Sequence, residues 1–325
     1  MVREEKKVKV THKQFLVEEC SEEYMQELVA FLSKWLRGSD QPVISKEYPL
    51  LFNDSPLVKH FIIRNDNGEI ISHAGAIVRY IVSGTARLRF GMISNVFTRP
   101  DYRNNGLATK VVLKAVEFLE ESQCALAILW TDQEKFYSKL KFRRMGKEWI
   151  FKLFKEKLND NVPEPRFYTE ELLPDIMAVY NRKPLRVERT VKEMKRLLEI
   201  PNMKTYVYIG PSGKTEAYAC LGKGYDFKGV IHEICGEPRA MEILLSGIVK
   251  KENKPLPLVL SPQEEKLGKS LMEKGIQCFE GALGFCRVLN EEAIKVFASH
   301  LGPLAQRYIG QNPYLPFHLG GLDSV

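Results

Sequence analysis

The most chemically suggestive segment of the sequence is the loop at residues 103–108, which reads Arg-Asn-Asn-Gly-Leu-Ala. Its glycine and alanine would let a ligand approach the backbone closely. A strand-like run precedes the loop, and a helical period begins at Leu107. Since the first turn of a helix has unpaired amide groups and the positive end of the helix dipole, this loop is suited to bind a pyrophosphate.

The elements around this loop predict a mixed sheet. Strand-like runs at 57–64, 69–81 and 87–98 are separated by Asn-Gly and Ser-Gly turn signals, which predict an antiparallel meander. A helical period at 107–119 and an apolar run at 125–130 complete a strand–helix–strand unit, whose last strand we expect to be parallel to its partner. Further predicted elements of this half are helices at 22–37 and 133–140, a strand from residue 142 and a strand at 147–154.

The second half of the chain repeats the order of these elements. A polar stretch at 155–166 carries two prolines and predicts a linker, so we place the domains at residues 1–161 and 162–325. The predicted fold class is therefore α/β, with an α+β mixed sheet in each of two tandem copies. The elements predicted beyond the linker are helices at 169–181, 190–199, 240–250 and 263–274, strands at 204–209, 215–222, 229–235 and 256–260, and a strand pair at 277–289.

Two motifs of the first half resemble those of the GNAT superfamily of acyl-CoA-dependent N-acyltransferases. The first is a strand ending in Thr-Arg-Pro, a Tyr-Arg pair and the glycine loop at 103–108. The second is Phe-Tyr-Ser-Lys-Leu-Lys-Phe at 136–142, in which Lys141 replaces the usual glycine of the family. The resemblance covers residues 10–155 closely and the rest of the chain only in the order of its elements. It implies two tandem GNAT-like domains.

The resemblance also implies roles for individual residues. In the family, the strand before the loop holds the pantetheine arm and the thioester, and the loop amides hold the pyrophosphate. Tyr137 stands where the family places a general acid for the departing thiolate, with simple packing as the alternative. Asp132 stands where the family often has a cofactor-contacting asparagine, or it caps the following helix. The implied cofactor-binding residues are Val96, Phe97, Thr98, Arg103, Asn104, Asn105, Gly106, Leu107, Ala108, Thr109 and Asp132.

The function implied by the resemblance is transfer of an acetyl group from acetyl-CoA, as co-substrate, to a primary amine by direct attack. The acceptor would be a small molecule or a peptide. Ser94 and Asn95 stand where some relatives have a carboxylate, and neither takes up a proton near neutral pH, so the sequence identifies no general base. The alternatives are a non-catalytic protein that binds or senses acyl-CoA, and a transferase that acts on peptide or aminoacyl groups.

The second copy is predicted to be degenerate. Pro238 removes an amide from its counterpart of the loop, and Glu237 would repel a phosphate. We expect this half to form a wall of the acceptor pocket. His232 and Glu233 are either a salvaged acid–base pair or a buried strand pair satisfied by hydrogen bonds. The apolar and aromatic tail at 312–325 is predicted to pack on or beside the first sheet, near the acceptor end of the site.

The composition excludes several classes of protein. With 44% hydrophobic and 27% charged residues, the 325-residue chain reads as globular, and its longest apolar run, at 124–130, is too short for a membrane helix. The charge of +7 is too small and too evenly spread to favour nucleic acid. The six cysteines lack zinc spacing and are expected to be free, mostly buried thiols. We expect a cytoplasmic protein without a metal, and an oligomer is left open.

Overall fold

The computed structural model describes residues 15–38, 43–301 and 319–324. The strands in these ranges are β1 (Glu18–Glu19), β2 (Val58–Arg64), β3 (Ile70–Ser83), β4 (Ala86–Thr98), β5 (Leu126–Leu129), β6 (Arg143–Met145), β7 (Glu148–Leu153), β8 (Arg166–Phe167), β9 (Arg186–Val187), β10 (Lys204–Ile209), β11 (Thr215–Leu221), β12 (Ile231–Gly236), β13 (Leu256–Leu260), β14 (Cys278–Gly281) and β15 (Gly284–Val288). The α-helices are α1 (Met25–Leu36), α2 (Ile44–Glu47), α3 (Leu107–Glu121), α4 (Glu134–Lys139), α5 (Leu173–Asn181), α6 (Val191–Leu198), α7 (Pro238–Glu252), α8 (Glu265–Glu273) and α9 (Glu291–Ser299).

The first sheet is mixed and has the strand order β1-β2-β3-β4-β5-β15-β6, with β9 beside β3. Strands β2, β3 and β4 pair antiparallel, while β4 and β5 pair parallel. Gly68 and Gly84, in the two tight turns, have φ values of 79° and 57°. Glycine accepts this left-handed conformation without steric cost, as the tight turns require. The strand pairings confirm the predicted meander and crossover.

The second sheet is also mixed and has the order β14-β7-β13-β12-β11-β10-β8. It repeats the first sheet position by position, which confirms the two-sheet α/β class. The two sheets exchange one strand: β7 lies between β13 and β14, and β15 lies between β5 and β6. The sequence predicted the 147–154 strand in the first sheet and the 277–289 pair in the second. This prediction is wrong for β7, which lies in the second sheet, and for β15, which lies in the first.

The exchange bears on where the chain divides. The predicted boundary between residues 161 and 162 lies after β7 and before β15. Each of these strands therefore belongs to the sheet formed by the other half. The boundary stays a prediction, and a cut at that point would remove one inner strand from each sheet.

The hydrophobic core has three parts. One lies between α3 and the first sheet, and a second lies between α7 and the second sheet. The remaining part joins both halves, with Leu28 and Met92 from the first and Ile176 and Tyr218 from the second. The described end of the tail, residues 319–324, contributes its buried leucines to this shared core. That agrees with a tail that packs back on the protein, while residues 302–318 lie outside the described ranges.

Two further sequence expectations concern the cysteines and membrane-spanning helices. All six cysteines lie in the described ranges and are free, and all but the half-buried Cys278 are buried, as predicted. Across the described ranges, no helix is long and apolar enough to span a bilayer.

Candidate active site

Strands β4 and β5 separate at the centre of the first sheet. Their parallel pairing is limited to Gly91 with Ala127 and the next residue of each strand, whereas β4 continues to Thr98. At Asn95, φ is 50°, and the register with β3 shifts beside this residue. Such a bulge redirects the backbone and ends regular pairing. The end of β4 therefore borders an opening on its β5 side.

The loop after β4 brings the start of a helix to this opening. Asn104 and Gly106 have φ values of 65° and 72°, so the chain turns sharply here. The Arg103 Nε donates to the carbonyl of Thr98 at 3.2 Å and ties the loop to β4. The Asn105 Nδ2 donates to two carbonyls of the preceding turn at 3.0 and 3.2 Å, so this side chain stabilises the loop itself.

The first turn of α3 presents free backbone amides. The earliest helical hydrogen bond runs from the Lys110 amide to the Gly106 carbonyl at 3.1 Å. The amides of Leu107, Ala108 and Thr109 therefore have no acceptor within the helix, and no side chain caps the turn. A Cβ added at Gly106 would meet nothing within 4 Å, so there is open space beside the loop. The amides and the helix dipole together favour an anion at this point.

A cavity of about 590 Å³, the first cavity, lies between this loop, β4 and α4. Every predicted cofactor-binding residue lines it except Asn105 and Asp132. The lining residues are Val96, Phe97, Thr98, Tyr102, Arg103, Asn104, Gly106, Leu107, Ala108, Thr109, Gln133, Phe136 and Tyr137. The structure thus brings these positions together around one space, and their roles stay predictions.

A second cavity, of about 580 Å³, adjoins the first and shares Val96, Gln133 and Tyr137 with it. The second half of the chain supplies one of its walls. Asp132 lines this cavity and is absent from the lining of the first. The Asn95 Nδ2 is buried without a hydrogen-bond partner among the described residues. The remaining lining residues are Leu36, Arg37, Tyr48, Ile93, Ser94, Asn95, Leu129, Trp130, Thr131, Asp226, Phe227 and Ser324.

Tyr137 lies on α4, where the two cavities meet. The side chain is only 7% exposed, and the ring packs edge-on against Phe136 and Phe142. Burial raises the pKa of Tyr137 to about 12, so the phenol stays protonated at neutral pH. Tyr137 therefore packs in the core and keeps a protonated hydroxyl where the two cavities meet, and its catalytic role stays a prediction.

The departure from the family motif at Lys141 leaves this geometry in place. Lys141 follows α4 and has a φ of 66°, in the left-handed region that glycine favours. The Phe142 amide donates to the Tyr137 carbonyl at 3.1 Å across this turn. The lysine thus adopts the conformation that ends the helix, at a modest steric cost.

A charged group that the sequence did not predict borders the second cavity. The Arg37 guanidinium donates to Glu47 at 2.6 Å and to the Asp226 Oδ2 at 3.1 Å, and the Tyr48 hydroxyl donates to the same Oδ2. Burial raises the pKa of Asp226, although Arg37 opposes the shift. Arg37 and Asp226 are 189 positions apart, so no local pattern could have paired them.

The counterpart of this site in the second half differs in its first helical turn. α7 begins at Pro238, directly after Glu237, so the turn lacks one amide and starts beside a carboxylate. This arrangement is unfavourable for a phosphate, as the sequence predicted. The second copy keeps the fold without these features of the α3 turn.

His232 and Glu233 are buried in hydrogen bonds and ion pairs beneath the tail. The Arg189 guanidinium donates to both carboxylate oxygens of Glu233, at 2.7 and 2.8 Å. Although burial opposes it, Arg189 lowers the pKa of Glu233 to about 2. The His232 Nε2 lies 2.9 Å from the Gly222 carbonyl, and burial lowers the pKa of His232 to about 4. These contacts agree with a structural role for Glu233, whereas the His232 Nδ1 is buried without a hydrogen-bond partner among the described residues. The choice between the two interpretations of this pair stays a prediction.

Comparison with known proteins agrees with this geometry. Residues 17–145 match the model of the acetyltransferase (GNAT) domain. A conserved protein of unknown function from Enterococcus faecalis, described as a probable N-acyltransferase, is 14% identical with a TM-score of 0.68, over 87% of this chain and 74% of that one. A GCN5-related N-acetyltransferase from Anabaena variabilis is 14% identical with a TM-score of 0.65, over 86% and 74%. One from Kribbella flavida is 13% identical with a TM-score of 0.61, over 86% and 72%. At such identities the likeness shows the fold. No curated protein matches the chain by sequence.

Proposed function

We propose that this chain, whose residues 17–145 match the model of the acetyltransferase (GNAT) domain, transfers the acetyl group of acetyl-CoA to a primary amine. The site lies in the first half of the chain and occurs once. The acceptor amine belongs to a small molecule or a peptide. The reaction is a direct attack, without a covalent acyl-enzyme.

The first cavity supports binding of acetyl-CoA. The free amides at the start of α3, from Leu107 to Thr109, would hold the pyrophosphate. The open space beside Gly106 allows the phosphates to approach the backbone. The backbone of β4 at Val96, Phe97 and Thr98 would hold the pantetheine arm. When bound, acetyl-CoA supplies an activated thioester.

The junction of the two cavities supports the acid step. As the amine nitrogen bonds to the acetyl carbon, the carbon–sulfur bond breaks and the departing thiolate needs a proton. Tyr137 is protonated at neutral pH and donates its phenolic proton to that sulfur. The proton that nitrogen loses on amide formation then restores the phenol, so the protons balance over one turnover.

The second cavity supports an amine acceptor. Asp132 and Asp226 line it, and their carboxylates would attract an ammonium group. The hydrogen bonds of Asp226 from Arg37 and Tyr48 both use Oδ2, so Oδ1 is left to accept a proton. Burial raises the pKa of Asp226, and the neighbouring Arg37 opposes that shift. We therefore assign Asp226 as the base that deprotonates the acceptor.

The observation that carries this proposal is the meeting of the two cavities at Val96, Gln133 and Tyr137. A thioester held along β4 in the first cavity would present its carbonyl at this point. An amine in the second cavity would approach the same carbonyl from the other side. Holding both reactants at one junction lowers the entropic part of the barrier.

A thiol-release assay tests the proposal. Acetyl-CoA is offered with a panel of amines, polyamines, aminoglycosides and peptides, and free thiol is measured against the rate without protein. We expect release with at least one amine, and mass spectrometry should show that acceptor gaining one acetyl group. Binding of acetyl-CoA with no release across the panel would instead favour a non-catalytic binding protein.

A further inference from the structure

Two histidines form a buried chain of contacts behind the bulge of β4. The His60 Nε2 lies 3.1 Å from the Leu51 carbonyl, and the His60 Nδ1 lies 3.0 Å from the His73 Nε2. The His73 Nδ1 lies 2.8 Å from the carbonyl of Asn95, the bulge residue. His73 is fully buried and His60 is 4% exposed. These contacts therefore connect the Leu51 carbonyl to the bulge through two side chains that the proposed mechanism does not use.

The two imidazole rings carry fewer N–H groups than their three contacts require. Each contact with a carbonyl needs an N–H, and the contact between the two rings needs another. Burial lowers the pKa of His60 to about 4 and that of His73 to about 3, so both rings are neutral near pH 7. Two neutral imidazoles carry one N–H each, so one contact lacks its proton. The shortest contact is the one between His73 and Asn95, which favours an N–H on the His73 Nδ1.

The peptide between Asn95 and Val96 links this contact to the site. The described peptide bonds are trans, so the carbonyl of Asn95 and the amide N–H of Val96 point in opposite directions. The carbonyl points to the β3 side, where His73 lies. The Val96 amide therefore points to the β5 side, into the gap left where β5 stops pairing with β4. Val96 lines both cavities at this gap.

We propose that His73 is a positioning residue that holds the Asn95–Val96 peptide so that the Val96 amide faces the reacting carbonyl. The proposal rests on the acetyl transfer proposed above. His73 does not touch either substrate: its Nδ1–H fixes the Asn95 carbonyl, and the rigid peptide carries that orientation to Val96. The amide then donates to the oxygen on which negative charge develops. His60 supports the arrangement by donating its own proton to the His73 Nε2.

Two variants of His73 separate positioning from packing. The side-chain nitrogen of asparagine is as many bonds from Cα as the histidine Nδ1, and that of glutamine as many as the Nε2. His73→Asn therefore keeps a donor toward Asn95, whereas His73→Gln keeps one toward His60. We expect His73→Asn to retain kcat within about threefold of the parent. We expect His73→Gln to lose roughly tenfold to a hundredfold in kcat, somewhat less than the loss of an oxyanion donor, with the Kd for acetyl-CoA little changed.

A spectroscopic measurement on the parent protein makes the test independent of folding and of activity. In ¹⁵N-histidine spectra, we expect His73 to carry its proton on Nδ1, and a proton on Nε2 would overturn the proposal. Equal losses of kcat in His73→Asn and His73→Gln would overturn it too, because a packing role makes no distinction between them. A parent protein that releases no thiol would contradict the proposed function alone, and the His73 tautomer would then decide the positioning role.

Discussion

Tyr137 combines a packing role with a chemical one. Its ring lies edge-on between two phenylalanines, which by itself would explain a buried tyrosine. Yet the same residue lines both cavities, and burial keeps its phenol protonated. The sequence left packing and catalysis as alternatives, and the geometry is compatible with both at once. The catalytic role needs the phenolic oxygen, whereas the packing role needs only the ring.

Tyr137→Phe removes that oxygen and keeps the ring contacts. We expect kcat to fall roughly 10²–10⁴-fold, the usual contribution of general acid catalysis, with little change in acetyl-CoA affinity. Steady-state kinetics with the best acceptor and calorimetric titration of acetyl-CoA measure the two effects. Tyr102→Phe, a matched change in the lining of the first cavity, should leave kcat almost unaltered. Unchanged turnover in Tyr137→Phe would remove Tyr137 from the mechanism.

Asp226→Asn tests the acceptor side of the site. Because Arg37 keeps its 2.6 Å contact with Glu47, the variant removes the base without leaving Arg37 unpaired. We expect kcat/KM for the amine to drop at least tenfold, and its decline at low pH to shift or vanish, while acetyl-CoA affinity stays constant. A pH profile identical to that of the parent would show that another group accepts the proton.

At the scale of elements, the exchange of β7 and β15 is what completes each sheet. β15 pairs with β5 on one side and β6 on the other, so the sheet that carries the site depends on residues from the far end of the chain. Phe285 of β15 is buried in the same core as α3 and Tyr137. The packing that positions the candidate acid therefore comes partly from the second half.

Phe285→Ala tests this dependence. Removing a buried phenylalanine leaves a cavity, and we expect a loss of about 3–5 kcal/mol in the free energy of unfolding, measured by urea denaturation. Phe279→Ala, on β14 of the second sheet, is the matched control because Phe279 is 60% exposed. We expect the control to stay within about 0.5 kcal/mol of the parent. Similar losses in both variants would show that β15 does not support the first core.

Much of this architecture is readable from the sequence because its signals are local. Gly68 and Gly84 mark the hairpins, and the apolar periods mark α3 and α7. The glycine loop and Tyr137 are likewise found from short motifs. The exchange of β7 and β15 is not readable, because either strand pattern suits either sheet and only the tertiary packing selects the partner.

The sequence did not predict the charged group beside the second cavity, because only the tertiary packing brings its residues together. Arg37, Tyr48 and Asp226 lie far apart in sequence, and each alone is an ordinary surface residue type. The resemblance implies a bulge on the fourth strand, but the sequence does not place it at Asn95, since a strand pattern does not show which residue takes a positive φ.

At the scale of the whole molecule, a buried polar cluster joins the second half to the tail. Arg189 donates to Glu233 and, at 2.6 and 3.0 Å, to Asp323 of the tail. The Lys223 Nζ donates to the Gly321 carbonyl at 2.7 Å and to the Ser324 carbonyl. Since Ser324 lines the second cavity, the docked tail contributes to the site as well as to the core. Asp323 itself is held in this ion pair.

Three histidines that are buried in the described part of the chain predict a particular dependence of stability on pH. His60, His73 and His232 have folded-state pKa values of about 4, 3 and 4, below the unfolded value of 6.5. As the pH falls below 6.5, the unfolded chain takes up protons that the native protein does not, so stability decreases. We expect each such histidine to contribute up to about 1.4 kcal/mol per pH unit between pH 6.5 and about 4.

His232→Gln isolates one of these contributions. Its amide can keep the contact with the Gly222 carbonyl but does not titrate. Urea denaturation at a series of pH values between 7 and 4.5 should show a shallower loss of stability than in the parent. His300→Gln, at an exposed position, should follow the parent curve. Parallel curves for His232→Gln and the parent would mean that His232 is protonated in the folded protein.

The most direct test of the account is a calorimetric titration of acetyl-CoA into the parent protein and two glycine variants. Gly106 and Gly213 have φ values of 72° and 77°, and an added Cβ at either meets nothing within 4 Å, so leucine strains both turns alike. Only Gly106 lines the first cavity. We predict one site per chain in the parent and in Gly213→Leu, and no binding in folded Gly106→Leu. Two equivalent sites, or unaltered affinity in Gly106→Leu, would contradict the placement of acetyl-CoA at the loop of the first half.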